Sequence, residues 1–124
     1  MSININPGSL AALFLSDVEA DNGSSRSFSD LSVPPMYWYM VSFKNPTLIT
    51  DSIELDTVIS FINSAVVSGV ANAGTYLGGW VNGDDGKLHL DVSIAIPDRR
   101  SAEILGRAWG QLAIYQVGVG EIRL

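Results

Sequence analysis

The single histidine of the chain lies close to two other polar residues that could take part in acid–base chemistry. His89, Asp91 and Ser93 alternate with apolar residues, so all three are expected on one face of a β-strand. A histidine beside a carboxylate is the minimum arrangement of a general base and the group that orients it. Side chains two residues apart on a strand are separated by about 7 Å, however, which is too far for a hydrogen bond. We therefore interpret the pair as solvated, and we expect no catalytic residues and no enzyme activity.

Two arginines and an acidic turn are further candidates for binding. Arg99 and Arg100 open a predicted helix, where their charges and free backbone N–H groups could hold a phosphate or a carboxylate. They could equally be surface residues, with Glu103 as a partner. Asp84 and Asp85 lie in a predicted hairpin turn, where they offer acidic groups to a basic partner.

Metal and cofactor sites are not expected. The chain has no Cys, which excludes disulfides, thiolate nucleophiles and Cys-based zinc sites. The segment Asn82–Gly86 has the composition of a calcium loop but lacks the twelve-residue ligand pattern. Neither Gly78-Gly79 nor Gly118–Gly120 has the spacing of a phosphate-binding loop. Both glycine pairs are better interpreted as a bulge or a turn.

Aromatic residues form the other candidate surface. In RNA-recognition domains, aromatic side chains of a sheet stack on bases. The basic residues that nucleic-acid binding also needs are missing beside Trp38 and Trp80. We predict that packing in the core accounts for some of the rings. The remainder would contact a protein partner, or a second subunit of a homodimer, through the sheet face.

The charge of the chain is uneven. The net charge is −6; residues 1–86 carry nine acidic residues against two basic ones, whereas residues 87–124 carry four against five. An acidic chain without a basic stripe is a poor candidate for direct binding to nucleic acid. The apolar segments are too short to predict a membrane helix, and Met1–Asn6 lacks the basic residues of a signal peptide. A cytoplasmic location is therefore predicted.

The elements that must position these residues follow the order β-α-β-β-α-β from Met36 onward. This order predicts an α+β fold of the ferredoxin-like type, in which an antiparallel sheet carries two helices on one face. Asp56 is a candidate N-cap of the first helix, with Asp51 and Glu54 as an alternative capping box, and Asp98 is a candidate for the second. The predicted elements are a strand at Met36–Phe43, a helix over 56–68, paired strands at Thr75–Asn82 and Lys87–Ile96, a helix ending near Gly110, and a strand at Leu112–Val117.

The N-terminal part of the chain has a different pattern. Residues 1–35 are expected to form a partly irregular extension, and residues 36–124 a single α+β domain. Ser9–Val18 fits a short helix or a strand. Asp21–Asp30 is rich in Ser, Asp, Asn and Gly, which is typical of a mobile loop. Asn45-Pro46 is expected to close the first strand of the domain.

Several runs in the C-terminal part carry a resemblance to a known group of proteins. These runs are Gly74–Trp80, Asp85–Ser93, Asp98 followed by Ala102, and Gly110–Tyr115. Together they resemble small proteins carried by bacteriophages and prophages. The resemblance implies a phage context and a role such as inhibition of a host defence system, of the anti-CRISPR type. It brings no catalytic residues with it.

These observations predict a non-enzymatic interaction protein, a phage-encoded inhibitor of a host defence protein. It would occlude a basic surface of that protein through its own acidic surface. The residues expected to make the contact are Asp84, Asp85, Trp38 and Trp80. The alternative is a homodimeric module that binds a small ligand or a nucleotide in a pocket containing Arg99 and Arg100.

Overall fold

Three helices and six strands make up the fold. A computed structural model of the chain describes residues 6–124. The helices are α1 Pro7–Asp21, α2 Leu55–Val67 and α3 Arg99–Ala108. The strands are β1 Gly23–Ser27, β2 Tyr39–Thr50, β3 Tyr76–Val81, β4 Leu88–Ile96, β5 Ala113–Gln116 and β6 Gly120–Arg123.

All six strands belong to one antiparallel sheet in the order β1-β3-β4-β2-β5-β6. The predicted α+β class is therefore confirmed. The sheet is larger than predicted because β1 and β6 extend it at its two edges. The predicted hairpin joins β3 to β4, where the backbone N–H of Asn82 donates to the carbonyl of Lys87.

The core lies on one face of the sheet, beneath all three helices. Along β4, residues 88, 90 and 92 join a buried cluster with α1 and α2, which includes Phe14 and Ile62. Residues 94 and 96 of β4 pack in a second cluster with Ala102 of α3 and Val41 of β2. Because alternate residues of a strand share a face, both clusters lie on the same side. The opposite side, which we call the open face, carries no helix of the described residues.

The N-terminal segment is more regular than its sequence indicated. The side chain of Asn6 caps α1 by accepting from two backbone N–H groups, and Pro7 occupies the first turn. The prediction of a mobile loop at Asp21–Asp30 is wrong, because Gly23–Ser27 pairs with β3 as β1. An ion pair fastens this strand to α1: Arg26 donates to both carboxylate oxygens of Asp17, at 2.7 and 3.0 Å.

Strand β2 continues past the point where it was expected to end. The register against β4 shifts between Ser42 and Thr47, so Phe43–Pro46 form a bulge, in which the Asn45–Pro46 peptide bond is cis. A bulge leaves its residues outside the ladder, so a proline there removes no ladder hydrogen bond. The strand resumes at Thr47, and this second part of β2 reaches the candidate site.

The two helices of the predicted domain begin close to the predicted positions. Helix α3 begins after Asp98, whose carboxylate accepts from the backbone N–H of Ser101 at 2.8 Å, as predicted. For α2 the prediction of Asp56 as the N-cap is wrong, because Asp56 lies in the first turn. The N-cap is Glu54, whose side chain makes no capping hydrogen bond. Within residues 6–124, no helix is long and apolar enough to cross a membrane.

Candidate functional site

The open face carries a carboxylate in the middle of the sheet. Asp91 on β4 lies between Gly78 on β3 and Thr47 on β2, so its two cross-strand neighbours are small. A Cβ atom at Gly78 would overlap Oδ1 of Asp91, which shows that the carboxylate occupies the space above the glycine. The glycine therefore gives Asp91 room to lie against the sheet.

The environment of Asp91 disfavours its charged form. Burial raises the pKa of the Asp91 carboxyl above its ordinary value, and the polar side chain of Ser42 offsets the shift only in part. Among residues 6–124, no Lys, Arg or His nitrogen lies within 4.0 Å of this carboxylate. A partly buried carboxylate is thus present without a cation that would compensate it.

The adjacent row of the sheet forms a wall beside Asp91. His89 lies between Trp80 on β3 and Ile49 on β2. The rings of Trp80 and His89 are stacked, with centroids 4.5 Å apart and planes inclined by 26°. Trp80 remains 47% exposed and Ile49 60% exposed. The wall therefore presents apolar surface to solvent directly next to a carboxylate.

One atom of this wall lacks a hydrogen-bond partner. Nε2 of His89 is buried and makes no hydrogen bond to any of residues 6–124. The nearest acidic oxygen, Oδ2 of Asp85, is 4.0 Å away, which is too long for a hydrogen bond. The imidazole therefore has unused hydrogen-bonding capacity at the edge of the cleft.

Together these rows enclose a cleft of about 240 Å³. Its lining residues are Thr47, Leu48, Ile49, Trp80, His89, Leu90 and Asp91. A cleft with an acidic floor and an apolar wall can hold a positively charged group at the end of an apolar stem. Within residues 6–124, no three His, Asp or Glu side chains converge as a metal-binding group.

The structure brings one of the four predicted contact residues into this cleft and places a second beside it. Trp80 forms its wall, and Asp85 lies beside His89. Asp84 is exposed in the turn and does not line the cleft. Trp38 precedes the residue that pairs with Ile96, seven positions along β4 from His89, so it lies about 23 Å away at about 3.3 Å per residue.

The two predicted anion-binding arginines are also at the far end of β4. At the N-terminus of α3, the carboxylate of Asp98 already accepts from the backbone N–H and the hydroxyl of Ser101. Nε of Arg99 lies 3.6 Å from Glu103, the partner considered from the sequence. The structure does not bring Arg99 or Arg100 to the cleft.

The interpretation of His89 and Asp91 as a solvated pair is wrong. Only 22% of the His89 side chain is exposed, and Asp91 is held against Gly78. The sequence contained a signal for part of this arrangement. If β3 and β4 are paired residue by residue outward from the predicted hairpin turn, Gly78 falls opposite Asp91. The position of Thr47 beside Asp91 depends on the bulge in β2, and nothing in the sequence located that bulge.

Comparison with known proteins adds no assignment. The chain matches no protein-family model, and no curated protein or solved structure matches it either. A function for this chain must therefore be inferred from the geometry of the site.

Proposed function

We propose that this chain is a non-enzymatic interaction protein that binds a basic side chain of a partner protein in the open-face cleft. The observation that carries the proposal is the Asp91 carboxylate, which is partly buried and has no cation near it among residues 6–124. An arginine or lysine from a partner would supply the missing charge. The resulting charge-assisted hydrogen bonds are stronger than those between neutral groups.

The wall of the cleft supports a side chain rather than a free ion. Trp80 and Ile49 offer apolar surface on which the methylene stem of an arginine or lysine can pack. Arginine fits better than lysine, because its planar guanidinium can donate two parallel hydrogen bonds to one carboxylate. The acidity of the chain, with a net charge of −6, favours the approach of a basic surface.

Occlusion is the mechanism that fits this arrangement. A binding protein that covers a basic surface of its partner competes with whatever else that surface binds. The predicted role as an inhibitor of a host defence protein, its phage context and its place in the cytoplasm stay predictions, and the same holds for a homodimer through the sheet face.

The segment from β2 to β5 is proposed to be a ferredoxin-like unit. Two features support this: β4 lies between the two strands that α2 connects, and β2 lies between the two that α3 connects. That is the pattern of a split β-α-β motif used twice. In such a unit the face opposite the helices is free for binding.

The function is tested with an isolated basic side chain. Acetyl-arginine N-methylamide is titrated into isotope-labelled protein, and the side-chain signals of Trp80 and His89 are followed by NMR. Asp91→Asn should weaken binding about 10- to 100-fold, the loss expected when a charged hydrogen-bond acceptor is removed. The matched control is Glu121→Gln, which removes one exposed negative charge on the edge strand β6, far from the cleft, and should change affinity less than about twofold.

Two results would contradict the proposal. Equal weakening by both variants would mean that only the overall charge attracts the ligand. Equal binding of acetyl-glutamate N-methylamide would mean that the cleft does not select a cation.

A further inference from the structure

The second part of β2 has an unpaired edge. Thr47–Thr50 pairs with β4 on one side. On the other side, β5 pairs only with Tyr39 and Met40, at the far end of the strand. Among residues 6–124, no strand therefore meets the backbone groups of Thr47–Thr50 that point away from β4. Such an edge is a ready template for pairing with another chain.

A groove runs beside this edge on the helical side of the sheet. It has a volume of about 440 Å³ and lies between β2 and α2. Its lining residues are Pro46, Thr47, Leu48, Thr57, Ser60, Phe61 and Ser64. The open-face cleft also contains Thr47 and Leu48, so this edge has a recess on each side of the sheet.

We propose that an extended segment of the partner protein adds to β2 at Thr47–Thr50 as a further strand of the sheet. In strand addition, main-chain hydrogen bonds supply affinity and pockets for alternate side chains supply specificity. Successive side chains of a strand point to opposite faces. One set would enter the groove beside α2, and the other set would lie along the open face next to the cleft.

The bulge sets the length of the added strand. Pro46 has no backbone N–H to donate, and Phe43–Pro46 lie outside the ladder. Trp109, the C-cap of α3, stacks on Phe43 with ring centroids 4.5 Å apart, which covers that part of β2. The new ladder is therefore limited to about four residues, the length of Thr47–Thr50, and side chains must supply much of the affinity.

The charge around the edge selects the occupant. Asp51, Glu54 and Asp56 are exposed directly after the edge, and Lys44 is the one basic residue between positions 44 and 56. A second copy of this chain would bring the same excess of acid to the same place, whereas a basic segment would neutralise it. A long basic side chain on the open-face side of the added strand would lean across Thr47 toward Asp91. In this respect the inference rests on the proposed function.

The first test detects a pattern that only strand pairing produces, in which every second backbone N–H group of the bound peptide contributes to affinity. The probe is the peptide acetyl-Thr-Val-Arg-Val-Thr-amide, with two analogues that are N-methylated at the odd or at the even residues. Since alternate N–H groups of an added strand face its neighbour, one analogue should lose at least about tenfold in affinity and the other should keep it. Hydrogen exchange of amides within Thr47–Thr50 should slow when the parent peptide is bound. Equal effects of the two analogues overturn the inference, whether both bind or both fail.

A second variant tests the groove. Ser64→Phe fills it from α2 and should weaken peptide binding at least about tenfold. Asn63→Phe places the same side chain at the neighbouring exposed position, outside the groove, and should leave affinity within about twofold. Circular dichroism of both variants checks that α2 is intact. Equal binding of the peptide by the two variants counts against the groove.

These measurements separate the inference from the proposed function. If acetyl-arginine N-methylamide still binds and depends on Asp91, but the N-methylated peptides behave alike, the edge is wrong and the cleft stands. If the peptide alternation is seen but Asp91→Asn has no effect, the cleft is wrong. Sedimentation of the free chain at twice its 13.3 kDa, returned to the monomer by Ser64→Phe, would make a second copy the occupant and overturn the choice of partner.

Discussion

The position of the Asp91 carboxylate above Gly78 can be tested by adding one methyl group to the sheet. Gly78→Ala places a Cβ where Oδ1 of Asp91 lies, and this Cβ would also come within 3.7 Å of the Ser93 hydroxyl oxygen. The second contact is ordinary van der Waals contact and costs nothing. The first is an overlap, so the carboxylate must move or the strand must shift. The variant therefore perturbs the candidate site through one atom pair.

The expected size follows from two opposing effects. Forcing an extra methyl group into a filled site costs about 1–3 kcal/mol. Replacing a strand glycine with alanine returns about 0.5–1 kcal/mol through the unfolded chain. Gly78→Ala should thus lower the free energy of unfolding by up to about 2.5 kcal/mol. In an Asp91→Ala background the overlap is gone, and the same change should be neutral or stabilising by up to about 1 kcal/mol.

A double-mutant cycle measured by urea unfolding, with tryptophan fluorescence as the probe, gives the coupling energy directly. We expect a coupling of about 1–3 kcal/mol between Gly78→Ala and Asp91→Ala. The control is Gly83→Ala in the hairpin turn, where an added Cβ would meet nothing within 4 Å. Its effect should be the same with and without Asp91. If the effects of Gly78→Ala and Asp91→Ala on the free energy of unfolding were additive, the carboxylate could not occupy the position described above Gly78.

Three further predictions follow from the same structure. Asp91→Asn should raise the free energy of unfolding by about 1–2 kcal/mol at about pH 8 but not at about pH 3. Burial raises the pKa of Asp91, so the native protein loses stability as pH rises from 3.8 through that raised value. Urea unfolding at both pH values measures this, and an equal gain in stability from Asp91→Asn at both would contradict it. Asp17→Asn should cost about 1–3 kcal/mol near pH 7. The hydrogen bond from Arg26 lowers the pKa of Asp17, so the stabilisation by this ion pair is present above pH 3.8 and is lost as pH falls toward the lowered value. If Asp17→Asn still destabilised the protein at about pH 2, the ion pair would not explain the loss. Gly79→Ala should lower the free energy of unfolding by about 2–3 kcal/mol, because its Cβ would lie 2.6 Å from Cζ of Phe14 and 2.8 Å from the carbonyl oxygen of His89. A thermal or urea melt measures the loss. A loss no larger than that of Gly83→Ala would contradict the packing of α1 on β3.

The patterned half of the chain could be predicted because its signals are local. The alternation along β4, the Asn and Asp residues of the turn, and the Asp98 cap each depend on neighbours in sequence. These features locate β3, β4 and α3 to within a few residues.

The missed features depend on partners that are distant in sequence. Gly23–Ser27 has the composition of a loop, and it becomes a strand because β3 offers an edge and because Arg26 reaches Asp17. Pro46 was expected to end β2, since proline cannot join a ladder, but the bulge places it outside the ladder. The environment of Asp91 depends on the same bulge, which sets Thr47 beside it. Part of the candidate site was therefore beyond prediction from local patterns.

The placement of all helices on one side of the sheet has a consequence for how this protein can change in evolution. Along β4, residues 88, 90 and 92 are held by the core, while the residues between them, His89 and Asp91, face the cleft. A mutation scan of residues 88–92 should show tolerance that alternates with a period of two. Substitutions at the even positions should lower the yield of folded protein, and those at the odd positions should alter what it binds. If the cleft binds as proposed, its specificity can change by single substitutions without a loss of folding, as long as Gly78 leaves room for Asp91.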